Sequence, residues 1–81
     1  MGVNMEQQDT KMYYVVCIRN ENYPASLELF KIYQAIADER AAQDQLIRVI
    51  DESGEDYVYP ADIFVSIELP QAVERAFVQV A

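Results

Sequence analysis

The stretch DESGEDYVYPADIF, residues 51–64, concentrates five of the chain's fourteen acidic residues and two of its six tyrosines. Asp51, Ser53 and Glu55 alternate as the first three ligands of a calcium-binding loop would. The match then fails. The sixth position of such a loop is glycine and here is Asp56, and the twelfth is a bidentate glutamate and here is Asp62. Strand-forming runs rather than helices flank the segment, so no metal is expected.

Paired carboxylates do acid–base work when burial of one drives their pKa values apart. Asp51, Glu52, Glu55 and Asp56 belong instead to the tip of a hairpin, where water surrounds them. There is no histidine in the chain to act as a base. The single cysteine, Cys17, lies in the apolar run YYVVCI and reads as a small buried hydrophobe. No glycine-rich phosphate loop accompanies them. The sequence therefore points to no catalytic residue, no cofactor and no enzyme.

The tyrosines remain. Tyr57 and Tyr59 are two apart and share one face of a strand. An exposed aromatic face suits protein or peptide recognition, and acidic residues beside it favour basic ligands. The expected contact surface is Tyr23, Tyr57 and Tyr59, with Glu52, Glu55 and Asp56 as an acidic rim. The second reading is an acidic decoy that mimics nucleic acid and occupies the groove of a DNA-binding protein.

Composition narrows the partners. Net charge is −8 at pH 7, and six scattered Lys and Arg form no stripe that could neutralise phosphates. Direct nucleic-acid binding and attachment to anionic membranes are not expected. One cysteine forms no internal disulfide and requires no oxidising compartment. Neither a secretory leader pattern nor an apolar run near ~20 residues is present. The expectation is a cytoplasmic protein, a monomer or weak homodimer.

These residues must be held by something. Eighty-one residues suit a single small domain. Residues 1–11 are polar and aperiodic and read as a flexible tail before a domain over 12–81. YYVVCI (13–18), LIRVID (46–51) and EDYVYP (55–60) are strand signals, and Gly54 supplies the turn between the last two. FVSI (64–67) reads as a short strand, and LPQAVERAFVQV (69–80) as a helix with Pro70 near its first turn. Residues 26–42 divide opinion between two rules. Leu29, Ile32, Tyr33 and Ile36 fit the helical spacing, which gives an α+β alternative with a helix at about 26–42. The other reading is a turn followed by the strand KIYQAIA (31–37) and a loop or single helical turn over 38–45.

Cys17–Asn20, Leu27–Tyr33, Asp51–Pro60 and Phe64 together resemble a family of small bacterial and phage-associated proteins. Its pattern is a Cys-Ile-x-Asn-like turn, a Leu-x-x-x-Lys-x-Tyr segment and an acidic Ser-Gly-Glu-Asp-Tyr-x-Tyr-Pro hairpin. The resemblance covers roughly residues 13–69 and implies a mainly β fold: a small five-stranded Src-homology-3-like barrel with a short C-terminal helix. It implies no catalytic residues. Phe30 departs from the pattern, standing where similar sequences often have Gly or a polar residue before the lysine.

Overall fold

A computed structural model describes residues 11–51 and 53–80. The strand signals in the sequence become five antiparallel strands: β1 (Met12–Cys17), β2 (Ile32–Ile36), β3 (Leu46–Ile50), β4 (Asp56–Pro60) and β5 (Phe64–Ile67). One sheet contains them all, in the order β4-β3-β2-β1-β5. A short helix α1 (Glu39–Gln43) joins β2 to β3, and α2 (Gln71–Val80) follows β5. The fold is mainly β with a C-terminal helix, as the resemblance implies. The ladder is open, however, and does not close into a ring. β4 ends at Pro60, which has no N–H to donate. A 3₁₀ turn, Ala61–Ile63, then leads straight into β5. Its free backbone groups are satisfied elsewhere: Ala61 N donates to Gln45 O, and Ile18 N donates to Ile63 O.

Register assigns the faces. Pairing sets Tyr13 opposite Ala35, Ala35 opposite Val49, and Val49 opposite Tyr57. One step along, Val15 faces Tyr33 and Ile47 faces Tyr59. Side chains alternate across a strand, so these residues share the inner face, and Val15, Cys17, Tyr33, Ala35, Ile47, Val49, Tyr59 and Phe64 form one buried cluster. Tyr59 and Phe64 come from the two edge strands, yet their ring centroids are 6.0 Å apart. The sheet is thus curled, with its edges brought together over a common core. The outer face is covered differently. Tyr14 is buried there beneath Phe77 of α2, edge to face at 5.1 Å.

The helix alternative for residues 26–42 is not realised. Only Glu39–Gln43 is helical, started by Asp38, whose Oδ1 accepts from Ala41 N. β1 decides the matter: its edge opposite β5 needs a partner, and Ile32–Ile36 supplies it. Before β2 the chain makes a long hydrogen-bonded loop over 18–31. Asn20 Nδ2 donates to Leu27 O, and Tyr23 O accepts from both Ser26 N and Leu27 N. Leu27 is only 2% exposed and caps the inner core, whereas Leu29, a member of the helical pattern, is 48% exposed.

The loop closes through a local irregularity. Phe30 N donates to Cys17 O, and Cys17 N donates to Lys31 O. Two residues therefore oppose one, as in a bulge whose first member takes the left-handed conformation usual for glycine. Phe30 has φ 63° and is 74% exposed.

Two outcomes follow for stability, both read by urea unfolding. Leu27→Ala should cost about 2–5 kcal/mol while Leu29→Ala stays within about 0.5 kcal/mol, the reverse of what a buried helical stripe would give. Phe30→Gly should stabilise the protein by about 1 kcal/mol, because relief of the left-handed strain exceeds the entropy that glycine adds to the unfolded chain.

Candidate functional site

The second half of the sheet ends in the acidic hairpin, and its tip is built by one carboxylate. Asp51 Oδ1 accepts from Ser53 N at 2.9 Å, from Ser53 Oγ at 2.6 Å and from Glu55 N at 3.2 Å. Asp51 and Glu55 close the loop through their backbones, Asp51 N donating to Glu55 O. Gly54 donates to Asp51 O and has φ 90°. Open space surrounds the position of a would-be Cβ there, so the backbone angle and not crowding calls for glycine. The hydrogen bond from Ser53, with others from the loop's amides, holds the Asp51 carboxyl below the usual aspartate range.

Leaving this tip, β4 alternates. Tyr57 and Tyr59 point inward; Asp56 and Val58 point outward. Tyr59 is 7% exposed and packs edge-on against Tyr23 of the long loop, centroids 5.1 Å apart. Tyr57, 45% exposed, donates its hydroxyl to Glu55 Oε1 at 2.6 Å. That hydrogen bond, and then the negative charge of Glu55, push the Tyr57 phenol up to about 12.

Between hairpin tip and long loop lies a cleft of about 530 Å³. Tyr33, Tyr57 and Tyr59 line it, with Glu28 and Lys31 on the loop side and Asp51 on the hairpin side. Tyr33 also pins the loop, its hydroxyl accepting from Glu28 N at 2.9 Å. Burial raises the Tyr33 phenol above its ordinary value, so it is neutral at physiological pH. Lys31 Nζ lies 5.4 Å from the centroid of the Tyr33 ring and 3.8 Å from Glu28 Oε2.

The expected contact residues are partly united. Tyr57 and Tyr59 line the cleft, Tyr23 supports Tyr59 from behind, and Glu55 is tied to Tyr57. Glu52 lies outside the described residues. Asp56 is a correction to the expected rim. One residue from Tyr57, it must face the opposite side, where it accepts from Arg48 Nη1 at 2.8 Å. Arg48 Nε donates in turn to Asp38 Oδ2 at 2.9 Å. Tyr33, Glu28 and Lys31 were not among the expected site residues. The signal for two of them was a two-residue spacing, Lys31 and Tyr33, although Lys31 lies just before β2 and not within it.

Comparison with family models, with curated proteins and with solved structures finds no match for this chain. Among the described residues no three of His, Cys, Asp or Glu are grouped to hold a metal ion, and the Asp51 carboxylate is already used by its own loop. Cys17 is buried, donates its thiol to Arg19 O, and has its pKa raised by that burial. Burial thus favours its neutral thiol form. A second depression, of about 510 Å³, lies beside α1 and β3. Two of its charged residues, Asp38 and Arg48, satisfy each other. The tyrosine cleft is the place where aromatic surface, carboxylates and solvent meet.

Its titrations are checkable. Folding favours the acid form of Tyr57, so its contribution to stability is complete below about pH 10 and is lost as pH climbs toward 12. Ultraviolet titration should find a late-ionising tyrosine, and Glu55→Ala should bring it back toward about 10. Asp51 behaves oppositely. Its lowered pKa adds stability above about pH 4 that disappears as pH falls further. Asp51→Ala should flatten this acid limb of the urea midpoint measured against pH.

Proposed function

We propose that this protein is a non-catalytic binding module that receives a protein or peptide segment on its tyrosine face. Carboxylates around that face give it a preference for basic partners. One observation carries the reading. Tyr57, a large amphipathic ring, stands nearly half exposed at a cleft floored by two further tyrosines. Here its orientation is fixed by the hydrogen bond to Glu55, so a partner meets a ring that is already ordered and loses less entropy on docking. Tyrosine is enriched among the residues that dominate interface energies.

Charge supports the same partner class. The chain carries −8 overall, and Glu28, Asp51 and Glu55 lie within or beside the cleft. Complementary charge would speed encounter and reject acidic segments. Such binding should weaken with salt, since these carboxylates are solvated rather than enclosed.

A peptide-display selection on the folded protein tests this reading, with counter-selection on the Tyr57→Ala variant. Peptides enriched in Lys or Arg should emerge, and Tyr57→Ala should bind them at least about tenfold more weakly. Selected peptides that bind both proteins equally, or no enrichment over repeated rounds, would remove the tyrosine face from consideration.

A further inference from the structure

We infer that the cleft recognises a cationic side chain by its aromatic floor, and that Lys31 holds that place in the free protein. This rests on the reading of the cleft as a peptide-binding site and names what the guest must bring. The observation is the seat of the Lys31 ammonium. It stands 5.4 Å from the Tyr33 ring centroid, inside the distance at which the negative face of an aromatic ring attracts a cation. Glu28 Oε2, at 3.8 Å, supplies the opposite charge. A cation over a ring and beside a carboxylate is a complete recognition unit, and the chain fills it from within.

The remaining cleft repeats the same chemistry without a cation of its own among the residues that line it. Tyr57 brings a half-exposed aromatic ring, and Asp51 brings negative charge. A lysine or arginine side chain entering from solvent would meet that ring and that charge together. It would also meet Lys31. Two ammonium groups in one small cleft repel, so the guest must displace Lys31 or settle for the outer part of the site near Tyr57. Lys31 is the second residue of the bulge; its side chain is 30% exposed, and that of Glu28, one of its partners, is 75% exposed. The Glu28 end of the pair is therefore open to water, where such a contact contributes little. Lys31 therefore acts as a tethered competitor that lowers the affinity for basic partners and excludes neutral ones from the Tyr33 ring.

The seat also accounts for a local arrangement. The Tyr33 hydroxyl accepts from Glu28 N, which fixes the backbone of Glu28 relative to the ring. The acidic residue is thereby held near the aromatic ring, so a cation arriving there has less to reorganise.

The test uses the full chain and three capped five-residue glycine peptides bearing one central lysine: unmodified, Nε-trimethylated and Nε-acetylated. Binding is followed by amide chemical shifts at Glu28, Ser53 and Tyr57. Lys31→Met should bind the unmodified and trimethylated peptides about two- to fivefold more tightly than the parent protein, the span expected for one exposed cation–ring contact. Lys31→Gln, which adds no apolar surface, should do the same. Arg40→Met, removing an equal charge from α1, should show a smaller change. The acetylated peptide should bind weakest to every variant. Tyr57→Phe should keep the preference for charged peptides, and Tyr57→Leu should lose it.

If the parent protein binds the lysine peptide and both Lys31 variants bind it no better, the competitor role is overturned and the cleft reading stands. Equal binding of acetylated and charged peptides overturns the cationic preference. If none of the proteins binds any peptide, the inference and the binding-module reading fall together.

Discussion

A single sheet with no second layer has to hide its own inner face, and that constraint organises this molecule. These five strands have no other sheet to pack against among the described residues. The sheet curls until its edge strands share a core, and the connections between strands become the lid. Leu27 from the long loop and Ile63 from the 3₁₀ turn are buried for this reason. No polar residue is buried among those described, so the interior rests on apolar contact and on tyrosines whose hydroxyls reach its boundary. The cleft is the place where lid and hairpin fail to meet. Its tyrosines are core residues at the point where the core runs out of cover.

Much of this architecture was legible because strands reveal themselves by alternation and by branched or aromatic residues. β1, β3, β4 and β5 could each be read that way, and Gly54 marked the hairpin between two of them. β2 was harder. Leu29, Ile32, Tyr33 and Ile36 satisfy helical spacing, and the residues around them are good helix formers. What overrides them is the pairing of β1 with β2 across the long loop, an interaction that no local window contains. The helical tendency survives only in Glu39–Gln43, where Asp38 caps it.

The site followed the same division. Period two put Tyr57 and Tyr59 together correctly, and by the same rule it required Asp56 to face away. Grouping Asp56 with the rim confused nearness in sequence with nearness on a face. Its actual role is structural: with Asp38 it brackets Arg48 on the outer side, so one of the few cations links the start of α1, β3 and β4. Tyr33 and Glu28 joined the site through the folding of a loop over the sheet. Sequence spacing gives which face a residue occupies, but not which loop will lie above it.

The placement of β1 has a consequence in time. Among the described strands it is synthesised before the others, and it lies between β2 and β5, with Tyr14 opposite Gln34 on one side and Ile67 on the other. One flank can pair early, with a strand only a loop away. The other must wait for nearly the whole domain to be synthesised, since pairings between distant parts of a chain form slowly. Until β5 arrives, the flank of β1 is an open strand edge rich in valine and tyrosine. The interval between those two pairings is when a nascent copy is most exposed to pairing with a neighbour instead of with itself.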